Sequence, residues 1–215
     1  MEALKRHLLH RKTIKARFKI PLSYEDTVTA LLASVQVEVE YRHRTFLQNA
    51  ALTGYIQTAA KWLQGNGKFG LMLLGMPGNG KTTLMRAVTS LINIYDLKNS
   101  YGEPVAVRSI AATELARINR DNYAQFKKIC NEPMLAIDDL GQEPNEILDY
   151  GNVVTPAVDL LCHRYNEQLF TLVTTNLGKR GEHSLRGYYG DRIADRLNEM
   201  MDFIVFDNPS YRVQK

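Results

Sequence analysis

The chain has 215 residues, 45% of them apolar and 23% charged, with a formal net charge of +4. That is enough for one substantial core with a small appendage, and there is no low-complexity tract. No apolar run reaches membrane-spanning length, and the basic start never reaches the apolar segment of a secretory signal, so a cytoplasmic protein with no membrane partner is expected.

The charge is unevenly placed. Residues 1–20 hold seven Lys/Arg against Glu2 alone, a balance of +6, while the remainder sums to −2. This N-terminal arm reads either as a contact for nucleic acid or an acidic partner, or as a solvated terminus. Two cysteines, Cys130 and Cys162, have neither metal spacing nor disulfide density and read as core thiols.

After Pro21 and Ser23, the apolar residues Val28, Leu32, Val35, Val39 and Phe46 mostly follow helical spacing. The alternation in VQVEVE opposes a strand reading to this, but the length of the pattern favours one long helix. A second helix over 52–63 runs into Gly65-Asn66-Gly67, a C-cap and turn. A boundary is expected near residue 65, giving a helical, partner-binding region over 1–65 and a main domain over 66–215, the latter able to stand alone.

The most informative segment follows. Phe69 to Leu74 reads as a buried strand, and Gly75-Met76-Pro77-Gly78-Asn79-Gly80-Lys81-Thr82 fits G-x-x-x-x-G-K-[ST] at the start of a helix carrying Thr83. This is a P-loop. Gly78 and Gly80 permit backbone angles that aim N–H groups at phosphate oxygens, reinforced by the helix N-terminus. Lys81 would reach the β- and γ-phosphates of ATP, and the Thr82 hydroxyl would sit on Mg²⁺.

Beyond the loop, strands are expected at 105–110, 133–138, 170–175 and 202–206, separated by helices over 82–97, within 112–130, 154–168 and 184–200. That alternation implies an α/β parallel sheet with helices on both faces. Residues 143–154 form the longest irregular piece.

Met134-Leu135-Ala136-Ile137-Asp138-Asp139 is an apolar strand ending in two acids, the pattern of a Walker B strand. Asp138 would hold Mg²⁺ and Asp139 would polarise the attacking water. Phe170 to Thr175 is another apolar strand and ends in Asn176, which either orients that water or starts a turn. In Gly190 to Leu197, Arg192 and Arg196 share one helix face. They read as an arginine finger for a neighbouring copy's nucleotide or as a solvated face with Asp–Arg pairs. Trp62, Phe69 and Phe170 read as core rather than as base-stacking platforms.

Together GMPGNGKTTL, MLAIDDLG, TLVTTN and YGDRIADRL, in this order over about 130 residues, resemble the AAA+ ATPases of the DnaC-type helicase loaders and IstB-type transposition ATPases. The resemblance implies a sheet of order 5-1-4-3-2, nucleotide at a subunit boundary of a homo-oligomer, and single-stranded or duplex DNA as the working surface. By match to the family's motif, Arg196 is the expected finger and Arg192 the runner-up, while Asn176 takes the sensor 1 place. Asp139 stands where most AAA+ proteins have Glu, so slow hydrolysis is expected. Only nine residues follow the last strand, so no helical lid is expected, and Arg212 in Ser210-Tyr211-Arg212 is the candidate for a sensor 2 contact.

The N-terminal region, with Glu40 and Arg42, is similar to that of IstB proteins; in the loaders this region binds the replicative helicase. Residues 112–130 are similar to the family's DNA-contacting helix, with Arg117, Arg120, Lys127 and Lys128 facing phosphates or merely solvent. The expected function is therefore an ATPase that remodels a protein on DNA, with a replicative helicase as the first partner and a transposase as the alternative. Two readings of another class stay open, a small-molecule P-loop kinase and a nucleotide-gated binding module without hydrolysis.

Overall fold

A computed structural model describes the whole chain except residues 11–16, 96, 99–101, 103, 145–146, 150–151 and 213–215. Three of the arm's basic residues, Arg11, Lys12 and Lys15, fall outside the described residues.

The chain runs α1 (Glu2–His10), α2 (Tyr24–Glu40), α3 (Ala50–Lys61), a π-helical turn (Trp62–Asn66), β1 (Gly70–Gly75), α4 (Lys81–Ile94), β2 (Arg108–Ala111), α5 (Ala112–Asp121) and α6 (Tyr123–Cys130). It continues with β3 (Met134–Leu140), β4 (Ile147–Asp149), β5 (Asn152–Val154), α7 (Pro156–Glu167), β6 (Phe170–Thr175), α8 (Leu185–Tyr189), α9 (Asp191–Met200) and β7 (Met201–Phe206). Five strands form one sheet in the order β2-β3-β6-β1-β7. Every pairing in it is parallel. Setting the hairpin strands aside, this is the expected 5-1-4-3-2 order read from the other edge.

The apolar strands are continuous runs because both faces of the sheet are covered. Leu71 and Leu73 of β1 enter a core shared with α2, α3 and α4, whereas Met72 and Leu74 enter a second core shared with α5, α6, α7 and α9. The same alternation divides β3, with Ala136 in the first core and Leu135 and Ile137 in the second. Trp62 packs on Phe170 with ring centroids 4.8 Å apart, so both belong to the core. Arg164 is fully buried, yet its guanidinium donates to the carbonyls of Cys130, Glu132 and Phe170 and to the Thr171 hydroxyl. It thereby ties α6, α7 and the starts of β3 and β6 together, at the cost of a pKa that burial lowers to about 10.

Packing draws no line at residue 65. Ile20, Leu31, Val35, Ile56 and Leu63 share one core with Leu84, Val88 and Ile92 of α4 and with Phe206 of β7. The Tyr55 and Phe206 rings lie 4.1 Å apart, and the Tyr55 hydroxyl donates to Asp207. Residues 18–64 thus complete one face of the sheet.

Three local expectations are corrected. The long helix stops at Glu40, where Tyr41, Arg42 and His43 form a turn, with His43 at φ 55°, and the chain leaves as a loop to Asn49. The helix expected over 184–200 is two helices, because Gly190 takes φ 82° and ψ 168° between them. Residues 143–154, expected to be irregular, contain the β4–β5 hairpin, with Leu148 opposite Val153.

Candidate functional site

The C-terminal ends of β1, β3 and β6 meet at the mouth of one cleft of about 970 Å³, lined by the loop after β1 on one side and by residues 42–47 on the other. Ligand sites of open α/β sheets lie at this end of the strands. The fold brings Lys81, Thr82, Asp138, Asp139, Asn176 and Arg212 together there.

The loop's shape follows from its glycines. Gly78 has φ 84° and Gly80, the residue before α4, has φ 102°. A Cβ at Gly78 would stand 2.2 Å from the Ser210 hydroxyl oxygen, so only glycine lets the tail pass this closely. Asn79 is buried and its amide donates to the Phe206 carbonyl, anchoring the loop to the end of β7. Pro77 and Gly75 complete the turn.

Lys81 is only 4% exposed. Its ammonium, with three N–H bonds to share, lies 2.7 and 2.9 Å from the carbonyls of Gly75 and Met76 and 3.2 and 3.0 Å from the side-chain oxygens of Asn79 and Asn176. Burial lowers its pKa to about 8, with Asp139 and Asp138 opposing the fall. Thr82 donates to Asp138 Oδ1 at 2.9 Å, and Thr174 donates to the same oxygen at 2.6 Å. Asp139 takes φ 55°, and its N–H donates to the Thr174 hydroxyl. Its carboxyl is pushed up first by burial and then by Asp138, with Lys81 opposing.

The loop from Arg42 to Leu47, which the sequence did not place at this site, and the tail that carries the expected Arg212 complete the cleft. Arg42 donates to the Thr83 hydroxyl at 3.1 Å and pairs with Glu38, while Arg44 and Phe46 line the same wall beside Val35, Val39 and Leu52. The tail closes the other side. The Tyr211 N–H donates to the Gly78 carbonyl at 2.9 Å, and its hydroxyl accepts from Asn49. This seats Arg212 at the mouth. No local signal places Arg44, Phe46 or Asn49 here, because their position is set by contacts distant in sequence.

Arg192 and Arg196 do not line this cleft. Arg192 is exposed, whereas Arg196 is half-buried with its guanidinium 5.2 Å from the centre of the Tyr165 ring. On α5, Arg117 and Arg120 pair with Glu114 and Asp121 at the surface, and on α6 Lys127 lies over the Tyr123 ring.

The donor set fits a magnesium–nucleotide complex. The loop after β1 and Lys81 offer N–H and ammonium donors suited to phosphate oxygens. A hydroxyl and a carboxylate held 2.9 Å apart offer the hard oxygens that Mg²⁺ prefers, and it commonly takes few protein ligands beside substrate phosphates.

No family model matches the sequence, and no curated protein matches it. Solved structures do. DnaI superposes with a TM-score of 0.58 at 21% identity, over 91% of this chain and 96% of that one. The DnaC helicase loader gives 0.57 at 21% identity, over 76% and 94%. AMPPCP-bound DnaA from Aquifex aeolicus gives 0.54 at 15% identity over 78% of this chain and 50% of that one. The fold is that of the AAA+ ATPases. Within this AAA+ fold, the cleft built above stands at the end of the sheet where β1 runs into α4.

Proposed function

We propose that this chain is an ATPase of the DnaC-type helicase-loader group, working in the cytoplasm as a homo-oligomer that remodels a replicative helicase on DNA. The observation that carries the chemistry is the cluster of Lys81, Thr82, Asp138, Asp139 and Asn176 at one end of the sheet. The partner rests on the neighbours, since two structures matched over more than nine-tenths of their own length are the DnaC helicase loader and DnaI.

In this reading the N–H groups of residues 77–82 and the Lys81 ammonium bind the triphosphate, with Thr83 at its edge beside Arg42. Thr82 and Asp138 would hold Mg²⁺, which would supply positive charge beside the phosphates. Asp139, whose proton affinity burial raises, accepts the proton of the attacking water, and Asn176 orients that water. The wall of Val35, Val39, Phe46 and Leu52 faces the nucleobase. Arg212 reaches the phosphates from the tail of its own subunit. Arg192 or Arg196, both outside their own cleft, serve a neighbour's nucleotide, which is why the reading includes an oligomer.

Phosphate release and pull-downs test both halves of the proposal. The 215-residue chain should release phosphate from Mg-ATP without an added phosphoacceptor, and should retain a replicative helicase but no transposase. Retention of the transposase alone would replace the partner. Transfer of phosphate to a small acceptor would replace the chemistry.

A further inference from the structure

Next to the cleft, but outside it, lies a buried carboxylate that the chemistry above does not use. Glu143 is 3% exposed. Its Oε2 accepts from the Gly141 N–H at 2.8 Å, its Oε1 accepts from the Tyr189 hydroxyl, and its main-chain carbonyl accepts from the Tyr188 hydroxyl at 2.7 Å. The carboxylate therefore binds its own turn with one oxygen and a distant helix with the other.

Both ends of this tether matter. The turn starts at Asp139, whose carbonyl accepts from the Gln142 N–H at 3.1 Å. The same turn is pressed against the residue after Asn176, since a Cβ on Gly141 would stand 2.7 Å from a methyl of Leu177. At the other end, Tyr188 and Tyr189 close α8, Gly190 follows at φ 82° with open space around it, and α9 begins with Asp191 and the exposed Arg192. Two apolar side chains could hold the turn to α8 without burying polar atoms. What this side chain adds is direction, because its two hydrogen bonds, to the Gly141 N–H and the Tyr189 hydroxyl, set an angle as well as a separation.

We infer that Glu143 is a positioning residue that makes α8 and α9 follow the state of the Asp139 turn. Nucleotide contacts at Asp139 and Asn176 shift the turn, Glu143 carries the shift to Tyr189, and the Gly190 joint lets α9 and Arg192 respond. The inference rests on the nucleotide-binding reading above.

Amide hydrogen exchange of the full chain, with and without saturating Mg-ATP, tests it. In the unaltered chain Mg-ATP should slow exchange several-fold in peptides covering 76–84 and also in those covering 186–196. In Glu143→Ala the first response should persist and the second should be lost. Glu143→Gln, whose amide can still accept from Gly141 and donate to the Tyr189 oxygen, should keep both. Tyr189→Phe removes only the hydroxyl, should weaken the second response, and serves as the test if Glu143→Ala does not fold.

A staple with a purely structural role would lower the melting temperature but leave the second response intact in every folded variant. That result would overturn the inference, as would a chain protected at 76–84 but silent at 186–196. Absence of protection at 76–84 in the unaltered chain would instead overturn the nucleotide reading, and the coupling with it.

Discussion

Leu31→Ala asks whether residues 18–64 are part of the nucleotide-binding fold or an attachment to it. Leu31 lies on α2, is fully buried, and shares its core with α4, the helix that begins at Lys81. Truncating a leucine in a filled core costs about 2–5 kcal/mol. In a domain of this size each 1 kcal/mol moves the melting temperature by about 2–4 °C, so a mid-range loss of about 3 kcal/mol lowers it by roughly 6–12 °C. Circular dichroism and calorimetry should show one transition, displaced as a whole, with Mg-ATP raising the midpoint of parent and variant alike. A chain starting at Gly65 should fare far worse. It lacks Ile20, Leu31, Val35, Ile56, Trp62 and Leu63, all buried. Such side chains are worth about 1.5–3 kcal/mol each when buried, and uncovering the faces they match costs on the order of the ~5–15 kcal/mol that holds a domain together. Two separate transitions in Leu31→Ala, the upper one unmoved, would refute this reasoning. So would a truncated chain that melts cooperatively and binds nucleotide as the full chain does.

The remaining predictions concern the cleft. Lys81→Ala should abolish tight Mg-ATP binding in a calorimetric titration, while Asp139→Asn should keep binding and lose phosphate release by tenfold or more, on the order expected for removing a general base. Because burial holds Lys81 near pKa 8 and a bound triphosphate favours its ammonium form, binding above pH 8 should take up a proton, so affinity for ATP should fall as pH rises through that value. For folding the sign is opposite. The unfolded chain keeps this proton up to the ordinary 10.5, so the Lys81 contribution to stability rises between pH 8 and 10.5, and urea titrations of the chain and Lys81→Met should diverge there. Arg192→Ala and Arg196→Ala should each be mixed with Lys81→Ala. The finger is the one whose mixture regains part of the turnover, and recovery with neither, in mixtures that co-assemble, would count against a shared site.

How much of this could be read beforehand depends on how local each determinant is. The loop from Gly75 to Thr82 was legible because its shape is dictated by its own glycines and by the strand and helix that flank it. The same holds for β3 and β6, whose continuous apolar runs follow from burial on both faces, and for their polar ends at Asp138, Asp139 and Asn176. The stop at Glu40 was not legible. The apolar spacing continues to Phe46, but the Tyr41–His43 turn sends the loop across the cleft, where Arg42 meets Thr83 and Arg44 meets the Tyr211 carbonyl. The break at Gly190 was hidden for the same reason. Gly190 sits inside an amphipathic run, and the break there is held by contacts from outside that run, such as the Tyr189 hydroxyl on Glu143.

That division between local and distant determinants also orders the functional argument. The loop after β1 and the ends of β3 and β6 come from segments whose own sequence dictates their shape, and the fold that carries them is shared with chains only 15–21% identical. The opposite wall comes from residues between 35 and 47, and the mouth is closed by the Ser210–Arg212 tail, joined to the loop after β1 through Tyr211 and Gly78. These parts touch one another across more than 160 positions of sequence, as the Arg44 and Asn49 contacts with Tyr211 do. In the proposed reading, a change of base preference or of phosphate sensing would therefore be made in the 41–49 loop and the tail together, since altering either one alone breaks the hydrogen bonds that place the other. Exchanging Asn49 for Ala should accordingly weaken the hold on the tail and with it the contact of Arg212. If so, Asn49→Ala and Arg212→Ala should lower ATP affinity by less in combination than the product of their separate effects, whereas full additivity would mean that the loop and the tail act independently.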